Sequence, residues 1–436
     1  MKINTQQHSA AIAVMDAYAY EYAKNLLETL GITKLSLPKP RERQQTLVPA
    51  TSGLLSLAKD ANGTQYLCPV PLTACAEGAL IALRSLLTED TLQHLCGADL
   101  LTERAKLAGH RSIGQSCRLL KTKDGQIAIN LPRDADWENL PALLMIDKSP
   151  DWYELANMTV HYKTDALLAR ARVLGLAVAD TKPYFEKDAC WFYSTQIGKP
   201  FRTDKRAPRV LDLSSLWAGP LCSRIWQLAG AEVTKVESTH RPDGARFGDP
   251  VFFSKMNDAK RTVFLNLPSP DAVASLREMI LDADIVIEGS RPRALRQMGI
   301  IAEELVTQSP GLTWLSITGH GREDPESQWI GYGDDAAVAG GLSYVLHQVT
   351  GKWLICGDAI ADPLTGLHAA LAGWHSWLTG GGRILTLSLS ETVRHCIEAT
   401  RPHDNNYLSR YKHWVNKLSA VRVTTNTSIK LSKDKS

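Results

Sequence analysis

The stretch Arg209–Glu237, RVLDLSSLWAGPLCSRIWQLAGAEVTKVE, reads as strand, turn, helix and strand. RVLDLSSL is a continuous apolar run of the buried-strand kind. WAGP turns the chain, LCSRIWQLAG carries helical spacing up to Gly230, and AEVTKVE is the next strand. The same alternation continues through TVFLNL, DAVASLREMILD, ADIVIEG, ALRQMG, EELVTQS and LTWLSITG. Strands alternating with helices at these lengths make β-α-β units. The expected class is therefore α/β. It has a doubly wound, mainly parallel, Rossmann-like sheet that binds ligands at the carboxyl ends of its strands. Glu237 lies about 20 positions after the turn, as a dinucleotide fingerprint requires, but Ala-Gly-Pro lacks the three spaced glycines. An NAD-type oxidoreductase is disfavoured on that ground.

Working outward, the chain divides near residue 200. IGKPFRTDKRAPR carries two prolines and five basic residues, so 197–208 reads as a linker. Residues 1–196 before it form an accessory region and a second, smaller α+β domain. Its clearest element is SCRLLKTKDGQIAINLP, a hairpin about a Lys-Asp-Gly turn, with a short helix from near Asp134. Residues 209–400 form the nucleotide-type domain and 401–436 an extension, which from Thr424 is rich in Lys, Ser and Thr and is expected to fray. No internal repeat is evident.

The 436 residues include 44% hydrophobic and 22% charged ones, the balance of a soluble globular protein. A net charge of +3 is too small to argue for nucleic acid or an anionic membrane. No run of about 18 apolar residues predicts a membrane span. The start, MKINTQQHSAAIAV, lacks the pattern of a secretory leader. The eight cysteines include no C-x-x-C pair, which fits a reducing, cytoplasmic setting without disulfides or zinc.

Two motifs carry chemistry. WIGYGDDAAVAGG contains the Tyr-Gly-Asp-Asp string of polymerase metal sites, yet the Ala-rich sequence after it does not read as a strand. Asp334 and Asp335 read instead as acidic first-turn residues of a helix. In CGDAIADPLTGLHAALAGWHSWL, the spacing of Leu364, Leu367, Leu371, Trp374 and Leu378 predicts a helix with Pro363 first and Asp362 at the N-cap. Asp362 is either a plain cap, worth about 1 kcal/mol, or a carboxylate kept ionised by the helix end and able to act as a nucleophile.

The segment from Arg209 to Val393 resembles the family III CoA-transferases, the CaiB–BaiF group that also includes α-methylacyl-CoA racemases. The pieces that match run in order: VLDLSSLWAGP, LAGAEVTKVE, KRTVFLNL, ADIVIEGSRPRALRQMG, LTWLSITGHG, GYGDDAAVAGGL and DPLTGLHAALAG. GQSCRLLKTKDGQIAINLPRDADW is more loosely similar to the family's smaller domain.

The resemblance implies that Asp362, with Gly366 after it, is the catalytic aspartate, with Asp358 as competitor. Tyr332 stands 30 residues earlier (362 − 332), where transferases can carry tyrosine and racemases place histidine. A tyrosine with a pKa near 10 is a poor proton acceptor at neutral pH, which favours transfer over racemisation. The implied reaction passes CoA from an acyl-CoA to a carboxylic acid through an aspartyl anhydride and an aspartyl-CoA thioester. Coenzyme A is the substrate, without metal or NAD. A racemase and a non-catalytic acyl-CoA-binding protein are the alternatives.

CoA is expected at Trp217, Ala218, Gly219 and Pro220, a turn into a helix whose backbone donors face the place of a pyrophosphate, with Lys260, Arg261, Arg291 and Met298. Gly340 and Gly341 would either let N–H groups approach the reacting carbonyl or serve tight packing. Three features depart from the family. Trp217 stands where some members have glutamine, KVESTHRPDGAR is long, and the small-domain-like part precedes the nucleotide-type half. That order is permuted or fused. The familiar members are interlocked dimers, so a homodimer is among the expectations.

Overall fold

The computed structural model describes residues 5–34, 37, 56–60, 62–87, 91–101, 109–182, 188–202, 206–402 and 406–422. The expected frayed end from Thr424 lies outside them. The strands are β1 (Ser56–Lys59), β2 (Gln65–Leu67), β3 (Cys117–Lys121), β4 (Gln126–Asn130), β5 (Ala177–Asp180), β6 (Tyr193–Gln196), β7 (Arg209–Leu213), β8 (Glu232–Ser238), β9 (Arg261–Leu265), β10 (Ile285–Glu288), β11 (Thr313–Thr318) and β12 (Arg383–Ser388).

The large sheet has the order β6-β12-β11-β10-β7-β8-β9 and is parallel except for β6. Helices cover both faces, which is why its central strands are apolar throughout rather than alternating. Within β10, Ile285 and Ile287 enter one core, while Val286 enters the other with Leu211 and Trp314. The expected α/β, doubly wound class is the one observed. Chain order reverses between β7 and β10, and in such sheets the binding crevice opens there, beyond the carboxyl ends. Leu213 pairs with Glu288 at that edge. The loops beyond them touch, because a Cβ on Gly289 would meet Ser214.

The expected hairpin is β3–β4, closed from Thr122 to Gly125, and β5 completes a three-stranded antiparallel sheet. Helices beginning at Asp134, Leu140, Trp152 and Thr164 cover it around a core that includes Ile127, Ile129, Leu143 and Leu167.

The remaining N-terminal residues pack elsewhere. Helices Thr5–Thr29 and Leu72–Ser85 share a continuous core with the large domain through Leu26, Leu80, Trp226 and Leu371. The Tyr22 hydroxyl lies 2.8 Å from His368 Nε2 on helix Ala361–Leu378. The stretch read as a linker begins along the sheet edge, where Gly198 donates to Gly382 O at 2.9 Å and Phe201 to Gly380 O at 2.7 Å. Among the described residues no helix is long and apolar enough to cross a membrane.

Candidate functional site

The crevice floor is built on Asp212, fully buried near the end of β7. Its carboxylate accepts from Ser214 N–H at 3.0 Å, from the Ser214 hydroxyl, from Ser223 Oγ at 2.5 Å and from Lys260 Nζ at 3.1 Å. Burial works to raise this carboxyl, but Lys260 and Lys235, with the serines, outweigh it and hold it well below the usual range. Lys260 also donates to Pro220 O at 2.9 Å and Asn257 Oδ1 at 3.1 Å. An ammonium has three donors, so this lysine is spent. The sequence expectation of a phosphate-binding cation at Lys260 is corrected: it pins the first turn of helix Ala218–Leu228 from beneath.

Arg261 is exposed. It opens β9, whose carboxyl end is Leu265, so it stands about 13 Å down the strand from the crevice edge. Trp217 is buried and meets Phe252 edge-on at 5.1 Å, so its ring points into the core. Gly219 passes so close to the Ser214 side chain that no Cβ fits, which explains that glycine. Leu216 adopts φ 71°, a left-handed conformation costly for leucine. Its N–H is held by Asp243 Oδ1 at 2.9 Å. Asp243 is itself fixed by Glu237 at 2.8 Å and faces Lys235 at 3.0 Å. The long KVESTHRPDGAR segment thus anchors the WAGP turn.

Asp362 is not an N-cap, as the spacing suggested. Its helix already includes Ala361, with Ile360 in helical conformation before it. The preceding turn accounts for the difference: Ala359 takes φ 46°, donates to Asp334 Oδ1 at 2.9 Å and accepts from Asp362 N–H at 2.9 Å. Gly366, one turn on, packs on Ala218 O and Leu221, which brings this helix against the WAGP turn. Asp362 is half-buried and Asp358 is buried.

Tyr332 caps helix Gly333–Ala339, with Asp334 and Asp335 in its first turn as the spacing predicted. A Cβ on Gly333 would fall on Asp362 Oδ2, so the glycine after Tyr332 lies directly on the candidate nucleophile. Burial raises the Tyr332 phenol above its ordinary value, against the opposing charge of Arg133, so it stays protonated at neutral pH. Asp335 is fully buried. It accepts from Tyr332 N–H at 3.1 Å and from Asn130 Nδ2, at the end of β4, at 2.8 Å. Burial pushes Asp335 up to about 7, with those donors opposing and Asp334 adding to the rise.

The two other glycines have packing reasons. Gly340 faces Ser390 O and Val393, and Gly341 takes φ 97° between two helices. For Gly340 those contacts leave no room for a Cβ, which is a packing reason for that glycine. Met298 is half-buried against the second core. Arg291 caps helix Pro292–Arg296 at the switch-point edge.

Sequence reasoning missed several residues. Arg172 lies 3.7 Å over the Trp329 ring, and His320 meets that ring edge-on at 5.8 Å. Burial, with Arg172 adding, pushes His320 down to about 4, so it is neutral. His320 also lies against Gly331, next to Tyr332. Asn130, Arg133 and Arg172 come from the small domain, and no local pattern couples them to residues about 200 positions away.

Residues 208–408 match the family model described as CoA-transferase family III. The resemblance drawn from the seven segments is borne out over that stretch. The chain is 30% identical over 206 residues to succinyl-CoA–L-malate CoA-transferase beta subunit of Chloroflexus aurantiacus, covering 44% of this chain and 51% of that protein. It is 30% identical over 200 residues to succinyl-CoA:glutarate CoA-transferase of Homo sapiens, covering 43% and 46%. A CAIB/BAIF family protein from Brucella suis is 26% identical over 48% of this chain and 58% of that one, with TM-score 0.42. The chain spans about half the length of the curated relatives it matches.

Proposed function

From the match of residues 208–408 to CoA-transferase family III, we propose that the chain transfers coenzyme A between an acyl-CoA and a carboxylic acid, with Asp362 as nucleophile. The observation that carries this reading is the seating of Asp362 Oδ2 on Gly333, beside Tyr332 and one turn from the glycine packed on the WAGP turn. Asp362 is preferred to Asp358 because it is half-exposed, whereas Asp358 is buried. A nucleophile must reach its substrate.

The Asp362 carboxylate attacks the thioester carbonyl, and the C–S bond breaks to give a mixed anhydride and CoA thiolate. The thiolate attacks the aspartyl carbonyl, which releases the donor acid and leaves an aspartyl-CoA thioester. The acceptor carboxylate then attacks that thioester, and the thiolate returns to the acyl carbonyl to regenerate Asp362. Every step exchanges acyl groups of similar energy, so no ATP enters. Tyr332, kept protonated by burial, supplies a neutral hydroxyl donor for charge developing on the substrate. The N-terminus of helix Ala218–Leu228, held by Lys260 through Pro220 O, offers backbone donors toward CoA. Met298, at the crevice side, remains a candidate wall for the adenine.

Both relatives named above carry succinyl-CoA in their names, so that ester is the first donor to try. Asp362→Asn is expected to lower turnover by about 10⁴-fold or more while CoA binding, read by calorimetry, persists. In the presence of donor, hydroxylamine should attack the activated Asp362 carbonyl, releasing the thiol or acid and leaving a hydroxamate at Asp362 of the native protein and none on the variant. Undiminished turnover in the variant would reject the assignment.

A further inference from the structure

The Tyr-Gly-Asp-Asp string holds two buried aspartates that the acyl-transfer steps do not use, and they grip opposite sides of the site. Asp335 reaches back to the Tyr332 N–H, with Oδ1 at 3.1 Å and Oδ2 at 3.3 Å, and accepts from Asn130 Nδ2 of the small domain at 2.8 Å. Asp334 Oδ1 accepts from Ala359 N–H at 2.9 Å, and the Ala359 carbonyl in turn accepts from Asp362 N–H at 2.9 Å. Gly333, before them, has no room for a Cβ because Asp362 Oδ2 and Ala359 O lie there. Part of this is ordinary capping, in which an acidic residue of the first turn answers the N–H of the cap residue. Capping alone does not account for three local costs. Ala359 holds φ 46°, in the left-handed region. Asp335 is fully buried and makes no ion pair among the described residues. Asn130 Oδ1 is buried with no hydrogen-bond partner among the described residues. A solvated cap carries none of these, and such costs gather where a site is held in one geometry.

We propose that Asp334 and Asp335 are paired positioning residues of the transfer site, Asp334 setting the nucleophile Asp362 through the Ala359 turn and Asp335 setting the Tyr332 hydroxyl through its backbone N–H. This rests on the CoA-transferase reading of Asp362 and Tyr332. Side chains of adjacent helical residues point about 100° apart. One short helix start therefore holds the nucleophile's turn on one side and the small domain on another. Helix Gly333–Ala339 becomes the spacer that fixes Tyr332 relative to Asp362. Asn130, the last residue of β4, orients Asp335 and ties the small domain into that spacing. A misplacement of about 1 Å at a reacting group can cost about a hundredfold in rate, so a small shift at either grip is visible in turnover.

The test is exchange of labelled succinate into succinyl-CoA by the full chain, which runs both half-reactions with one acid. Tyr332→Phe should slow exchange about a hundredfold, as expected of a lost oxyanion donor. Asp335→Ala should slow the native protein about tenfold, yet slow the Tyr332→Phe protein less than about twofold, because its effect passes through the hydroxyl. Asp334→Ala should cost about tenfold in both backgrounds, lowering kcat with KM unchanged, because it acts on Asp362. Asp335→Asn keeps an acceptor oxygen and should recover most of the rate. Where Asp335→Ala does not fold, Asn130→Ala takes its place, with a slowing of about threefold that the Tyr332→Phe protein does not show. Equal slowing by either variant in the two backgrounds makes Asp335 a structural cap and overturns the inference alone. Native kcat in Asp334→Ala, undiminished exchange in Tyr332→Phe or no recovery in Asp335→Asn overturns it too. No exchange by the native protein, either with succinyl-CoA or with butyryl-CoA and labelled butyrate, rejects the CoA-transferase reading, and the inference falls with it.

Discussion

Asp212 under the WAGP turn and Asp335 under Tyr332 are both fully buried carboxylates at the crevice. Their surroundings differ in one respect. Asp212 has Lys260 at 3.1 Å and the field of Lys235, and it stays ionised. Asp335 has an amide and a backbone N–H but, among the described residues, no cation, and it is pushed up to about 7. Desolvation opposes charge at both sites, and the counter-charge decides the outcome. The floor is therefore fixed by ionic bonds at every ordinary pH. The segment carrying Tyr332 is held by a carboxyl that titrates near neutrality.

The sharpest way to break this contrast is to remove the floor's cation. Lys260→Met leaves Asp212 buried with one lysine fewer, and we expect a loss of about 3–5 kcal/mol in urea unfolding at pH 7. A loss below about 1 kcal/mol would mean that the floor does not depend on the pair.

The next test concerns the sign of the pH effect at Asp335. A carboxyl with a raised folded pKa binds its proton more tightly in the native state than in the unfolded chain. Its contribution is full at low pH and declines from about pH 4 to about pH 7, by up to a few kcal/mol. Asp335→Asn keeps the acceptor for Asn130 and Tyr332 and should remove that slope. Comparing unfolding free energies of native and variant protein at pH 5 and pH 8 isolates the effect. Equal slopes in the two proteins would assign the titration elsewhere.

The smallest effect should come from Asn130→Ala, which deletes one donor to Asp335. A cost of about 1–2 kcal/mol is expected at pH 8. At pH 5 the cost should be smaller, because a neutral carboxyl needs its donors less. An equal cost at both pH values would make Asn130 a packing residue only.

Part of this was readable from the chain. The apolar strands and helical spacings after Arg209 marked the doubly wound sheet, because a strand covered on both faces must be apolar at every position. The hairpin about Lys123-Asp124-Gly125 was equally local. The pairing of Tyr332 with Asp362 came from resemblance. Its contact through Gly333 needed the fold.

Lys260 and Arg261 show what reading by residue type leaves out. Two adjacent cations looked alike in sequence, yet one is buried beneath the crevice and the other stands at the far end of its strand. A strand's direction and a side chain's partners are not written in the charge of a residue. Asp362 was likewise taken for a cap, because the left-handed turn at Ala359 has no local signature.

The sequence by itself determined which segments become strands and helices, since period and turn chemistry act over a few residues. Only the tertiary structure decided which charges are answered. It spent Lys260 on Asp212 and gave Asp335 an amide and a backbone N–H, with no cation among the described residues. Electrostatic energy depends on distance and burial, and neither is a function of separation along the chain.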